Sequence, residues 1–284
     1  MGNIVSSSIS NIEQIMQEAF SGAVNEIKEE EIKFNKYGWK LSKPDERDVY
    51  FDFTLNKKNE TNKDLRELCP PIYNQGELGS CTANAISFAY EFDQIKQKEQ
   101  KKDVFIPSRL FIYYNERSME GTVSSDSGAE IRDGIKSINK VGVCPESMWP
   151  YNINVFTEKP SNDCYEMATK HKSVKYARVK QTLEELRECV SSGFPIVFGF
   201  TVYESFESDA VAKTGIMPMP KKDESIVGGH AVSVVGFTDK TFIVRNSWGD
   251  SWGDKGYFYM PNEFITNVDY ANDFWVIHSV HDTE

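Results

Sequence analysis

The feature that most restricts what this chain folds into is a change of hydrophobic period near residue 171. Before it, apolar residues recur three and four apart, as they do in helices that bury one face. From Ser80 to about Gln97 the stripe is Ala85, Phe88, Ala89, Phe92 and Ile95, and Ser80 is suited to cap the N-terminus. A second helix is predicted over 107–117 and a third over 128–140, where Ile131, Ile135 and Ile138 share a face. After residue 171 come short β-branched and aromatic runs, "SVKYARVK", "PIVFGFTVY", "HAVSVVGF", "TFIVRNSW" and "GYFYMP". One helix interrupts them at "TLEELRECVSSG", with Gly193 as its C-cap. Helices followed by strands predict an α+β chain with two lobes, and substrate sites favour the cleft between lobes.

Length and charge narrow the function. The 284 residues are enough for one large domain or two small ones, and no run approaches the roughly 18 apolar residues of a membrane-spanning helix. A formal net charge of −11 offers no basic stripe for phosphates, so no nucleic-acid partner is expected. The five cysteines, Cys69, Cys81, Cys144, Cys164 and Cys189, contain no C-x-x-C pair, so no metal is expected, and their odd number leaves a thiol unpaired. The opening "MGNIVSSSIS" has neither a basic nor an apolar signal region, which predicts no secretion and mostly reduced thiols. It does fit M-G-x-x-x-S, the acceptor pattern for N-myristoylation, and one acyl chain on Gly2 would give weak membrane contact. Ile12, Ile15, Met16, Ala19, Phe20, Ala23 and Ile27 predict a helix within 12–33. The polar stretch "NKKNETNKD" at 56–64 sets the boundary near Thr61, dividing an N-terminal segment, 1–60, from the main domain, 61–284. A monomer is expected.

The chemistry centres on "NQGELGSCTANA". Cys81 falls in the first turn of the predicted helix, where unpaired N–H groups and the helix dipole favour thiolate. A nucleophilic thiol also needs a base and a group that orients the base. Of four histidines, His230 alone follows two glycines and opens a strand, in "IVGGHAVSVVGF". The next strand carries "RNSWGDSWGDKGY". A three-residue hairpin loop near Thr238, Asp239 and Lys240 would set His230 opposite Trp248 and diagonal to Asn246. Asn246 could then accept from one ring nitrogen, leaving the other to face Cys81, while Trp248 shields that bond. Gln75, six residues before Cys81, supplies a side-chain amide that joins the Cys81 N–H as donor to an oxyanion.

These residues in "NQGELGSC", "GGHAVSVVGF" and "RNSWGDSWGDKGYFYM" resemble the papain-like cysteine peptidases, the cathepsin family, from about Asp64 to the end of the chain. The resemblance implies a two-lobed papain-like fold, with a helical lobe over about 64–170, a sheet or barrel lobe over about 171–284, and the active-site cleft between them. It implies hydrolysis of protein or peptide substrates by Cys81, His230, Asn246 and Gln75, without metal or cofactor. Gly79, Gly128, Gly229 and Trp248 would contact substrate. Asn272 or Asp273 would lie near the floor of the main specificity pocket, where an acidic floor would favour a basic side chain.

Leu78 and Thr82 stand where the family commonly has a disulfide cysteine and an aromatic. The "GSCTANA" form is similar to the variant of microbial members and large DNA viruses, so it is no sign of lost catalysis; with no secretory signal, an intracellular location or packaging in a viral particle is expected. The family's long inhibitory propeptide has no counterpart in the roughly 60 residues before the domain, which would either occlude the cleft as a short pro-segment or brace the fold. Two rival readings are a catalytically silent binding protein on the papain scaffold and a transglutaminase-like acyl transferase. The first does not need all four residues, and the second does not explain Gln75 or the Asn246, Ser247, Trp248 run.

Overall fold

The computed structural model describes residues 34–51, 60–97 and 104–282. The helix expected over 12–33, the Gly2 acceptor pattern and residues 52–59 lie outside the described residues. Phe34–Glu284 make one compact unit. Its helical side holds α1 (Cys81–Gln97), α2 (Arg109–Glu120) and α3 (Ile131–Lys140). Ser108 caps α2 by accepting from the Phe111 N–H, and left-handed Gly121 closes it.

Helix α1 is buried from Cys81 to Gln94, on its polar faces as well as its apolar stripe. It lies between the other helices and the sheet, so each polar side chain must find a partner inside. Thr82 donates to Glu116, Ser87 to the Pro107 carbonyl and Gln94 to the Phe105 carbonyl, while Glu91 accepts from Tyr73. Asp93 breaks the pattern, because both its carboxylate oxygens are buried without a partner among the described residues. Burial pushes its pKa up to about 8, with Lys96 pulling it down. An unfolded Asp titrates near 3.9, so stability at its maximum below about pH 4 should fall as pH rises toward the folded value and level off beyond it. In Asp93→Asn, thermal melts across this range should recover on the order of 5 kcal/mol of that loss at high pH. An unchanged pH slope would show that Asp93 ionises freely in the fold.

On the other side, an antiparallel sheet runs in the order β4 (His171–Arg178), β9 (Ala271–Asp282), β5 (Ile196–Tyr203), β6 (Ile226–Phe237), β7 (Thr241–Arg245), β8 (Tyr257–Pro261), with the short β2 (Lys63–Asp64) also pairing to β6. The helix α5 (Leu183–Ser191), preceded by α4 (Asn162–Ala168), crosses from β4 to β5 and ends at Gly193 with φ 82°. The C-terminal stretch, which is not among the strand runs predicted from sequence, is an inner strand hydrogen-bonded on both sides. Its pairing is entirely long-range, which local pattern does not report.

The β6–β7 connection also differs from expectation. Phe237 pairs Phe242 across a four-residue turn, and an irregularity between Val234 and Gly236 then shifts the register by one. That bulge, not an odd loop, brings Ser233 opposite Arg245 and carries His230 toward Trp248. Alternation along the strands divides two cores. Phe198 and Phe200 of β5 fill the sheet-side core, while Val197, Ala231 of β6 and Trp275 of β9 join the core around α1. The N-terminus of α1 therefore abuts the sheet beside His230.

Candidate active site

Residues from four separated segments meet where α1 begins. His230 Nε2 lies 2.8 Å from Asn246 Oδ1. The same oxygen accepts the Ser247 backbone N–H at 2.8 Å, and since that group can only donate, it fixes which way the amide points. Nε2 must then carry the proton and Nδ1 is the basic nitrogen. Nδ1 is buried without a partner among the described residues. Trp248 stacks on the imidazole at 4.9 Å between centroids. The Cys81 sulfur faces the backbone N–H groups of Ala231, Gly38 and Thr82, each of which favours thiolate.

Gln75 is held by three neighbours. Its Oε1 accepts from the Ser247 hydroxyl at 2.6 Å, and its Nε2 donates to the Leu78 carbonyl at 2.9 Å and to the Lys36 carbonyl at 3.0 Å. Tyr151 donates to the Gln75 carbonyl and shares a 2.5 Å hydrogen bond with Ser80. The Lys36 carbonyl is thus seated on the Gln75 side-chain amide.

That carbonyl belongs to a segment the sequence reading did not single out. Residues 34–40, "FNKYGWK", run through the cleft and pass close to Gln75, Gly79, Cys81, Gly128, Gly229, His230 and Trp248. Gly38 passes so close to Gly79 and Gly128 that a Cβ at Gly38 would lie 1.7 Å from the Gly79 carbonyl oxygen, and one at Gly128 would lie 2.0 Å from the Gly38 carbonyl oxygen. β1 (Trp39–Lys40) pairs in parallel with β3 (Ala129–Glu130), and the Gly38 carbonyl accepts from the Ala129 N–H at 2.8 Å. Tyr37 meets the His230 and Trp248 rings edge-on and donates to Glu207. Lys36 pairs with Glu207 at 2.8 Å and lies over Trp248. Asp126 accepts from the backbone N–H groups of both Asn35 and Gly79. The only local sign of this role is Gly38 set between two aromatics.

The Trp39 indole enters a pocket opened by glycine. A Cβ at Gly199 would sit 1.9 Å from the ring, and one at Gly229 would sit 2.6 Å from the Trp39 carbonyl oxygen. Asp273 lies beside this pocket, but its charge is already answered, since it accepts from the Ser42 N–H at 2.8 Å and pairs with Arg178 at 3.4 Å. Among the described residues, Asp273 is therefore already paired where it borders the Trp39 ring. The Asn272 side chain turns back to the Val268 carbonyl.

Covering the site changes its electrostatics. Burial pushes the Cys81 thiol up to about 11 and His230 down to about 4. The helix terminus does favour thiolate, yet desolvation outweighs it here, and thiol and imidazole are both neutral between those limits. Toward Trp248 and Trp252 a cleft of about 470 Å³ stays open beside Lys36, Asn74 and Glu207.

A family model described as papain family cysteine protease matches residues 59–275. An uncharacterized peptidase C1-like protein of Acanthamoeba polyphaga mimivirus is 48% identical over 275 residues, which are 87% of this chain and 88% of the relative. Among solved structures, xylellain, a cysteine protease from Xylella fastidiosa, superposes with a TM-score of 0.78 at 41% identity, covering 87% of this chain and 98% of that one. Digestive procathepsin L 3 of Tenebrio molitor larval midgut shares the fold at TM-score 0.62 and 17% identity, over 84% of this chain and 75% of that one.

Proposed function

The chain belongs to the papain family of cysteine proteases, and from that premise we propose that Cys81 is its nucleophile and His230 its acid and base. The Cys81 thiolate attacks the carbonyl carbon of a peptide bond. The oxyanion that forms is held by Gln75 Nε2–H and the Cys81 backbone N–H. Protonated His230 gives the Nδ1 proton to the leaving amine, which departs as the C–N bond breaks. Water then attacks the thioester, with neutral His230 taking its proton, and the acid product leaves as the thiol is restored. Asn246 and Trp248 hold the ring throughout. The observation that carries this reading is the convergence on one cleft of Gln75 Nε2, the Cys81 sulfur and the Asn246-bound imidazole, with a backbone carbonyl already seated on Gln75.

The same carbonyl supports reading residues 34–40 as an inhibitory strap within a short pro-segment. The Gly38 N–H lies beside the sulfur, so the strap covers the nucleophile as well as Gln75. Gly79, Gly128 and Gly229 would take an extended substrate in its place.

An epoxysuccinyl probe tests the core of the proposal. With the strap opened by mutation, the probe should add one mass equivalent to Cys81, and Cys81→Ala should take none. A folded, strap-opened protein that stays unlabelled would favour the silent binding scaffold instead.

A further inference from the structure

The wall behind Asn246 carries the next inference, which rests on reading Asn246 as the residue that orients His230. Asn246 is 2% exposed, and its Oδ1 is fully used by His230 and Ser247. Its Nδ2 has two N–H groups and no partner among the described residues. One strand away, the Ser233 hydroxyl is also unpartnered, in a residue 1% exposed. Both residues line a single cavity of about 10 Å³ between α1 and the β6–β7 pair.

The other polar groups on that wall are committed elsewhere. Asn84 donates to Ser80 and accepts from Arg109, Ser247 donates to Gln75, Tyr73 donates to Glu91, and Arg245 donates to the Pro70 and Pro71 carbonyls. Two unmet polar groups thus face one space, and each costs about 1 to 3 kcal/mol if left so. Its size is that of a single solvent molecule, since a water needs roughly 10 to 15 Å³ of such volume and at least two polar partners. Larger ligands do not fit.

We propose that this cavity is a binding site for one ordered water, which accepts from Asn246 Nδ2–H and donates to Ser233 Oγ. The water completes the amide's hydrogen bonding from behind while Oδ1 holds His230 in front. Ser233 is thereby a positioning residue, acting on the imidazole through the water and Asn246. Its place on β6 follows from the strand's alternation, which turns Ala231 and Ser233 toward α1.

The first test is a crystal structure of the full chain at a resolution that shows ordered solvent. A peak within hydrogen-bond distance of both Asn246 Nδ2 and Ser233 Oγ is expected. No peak there, or a direct Asn246–Ser233 contact, would overturn the site. The second test compares Ser233→Val, whose branched side chain fills the space, with Ser233→Ala, which leaves it. In Ser233→Val, epoxide labelling of Cys81 should slow about tenfold, the equivalent of one lost hydrogen bond. The ¹⁵N signals of His230 should also lose the single tautomer with Nε2 protonated. Ser233→Ala should lie between Ser233→Val and the parent. Parent-like rate and ¹⁵N signals in Ser233→Val would reject the positioning role. Asn246→Ala separates the two ideas: parent-like labelling in that variant would remove the Asn246 reading, whereas slow labelling there beside a normal Ser233→Val would remove only the water's role.

Discussion

Trp39→Ala is expected to raise the rate at which an epoxysuccinyl probe alkylates Cys81 in the full chain about 100-fold, because a Trp-to-Ala change at a packed site removes about 3 to 5 kcal/mol and roughly 2.8 kcal/mol corresponds to that factor. The indole is one of the strap's apolar anchors, seated in the space left by Gly199. Without it, the strap keeps Tyr37 in the sheet-side core and two part-exposed ion pairs worth little, Lys36–Glu207 and Lys40–Glu120. The pH dependence should change as well. With the strap seated, thiolate forms only as pH nears about 11, so labelling rises steadily into the alkaline range. Releasing the strap rehydrates the site, lowering the thiol and raising His230 from about 4. Labelling should then reach its plateau nearer neutrality. Gly199→Ala is an independent route to the same state, since its methyl group would displace the ring without removing it from the chain. If both variants fold, judged by their melting transitions, and label no faster than the parent, the strap is not what restrains the thiol.

The second large effect is expected at Gln75. On a strap-opened background, Gln75→Ala should lower kcat for peptide hydrolysis about 100-fold with little change in KM, as loss of one preorganised oxyanion donor typically does. Gln75 also ties Ser247 to Leu78, so loss of shape must be separated from loss of the donor. Gln75→Glu makes that separation, because it keeps the size while replacing the donating amide with an acceptor. A loss as deep in Gln75→Glu as in Gln75→Ala assigns the effect to the missing N–H. Full turnover in Gln75→Glu would remove Gln75 from the oxyanion site.

Much of the fold was legible because its determinants are local. The apolar stripes of α1 and α3, the Gly193 cap and the runs of β5 to β8 each follow from residues within a turn or a strand of one another. The papain family was legible for a related reason, since a thiol at a helix start and a histidine at a strand start are short, distinctive patterns. The C-terminal strand was not, since "FWVIHSV" looks the same in a tail as in a sheet centre until both neighbours are present. The β6–β7 bulge was hidden because one extra residue leaves no mark on composition.

The sequence by itself determined which residue types carry the chemistry and on which elements they ride, because capping, periodicity and motif spacing act over a few residues. Only the tertiary structure decided what state that chemistry is in. Lys36 and Gln75 are 39 residues apart, and nothing local says that one carbonyl will rest on the other's amide. Nor can spacing show that the helix terminus, which favours thiolate, is outweighed by burial under a strap, since desolvation depends on everything that excludes water from the site.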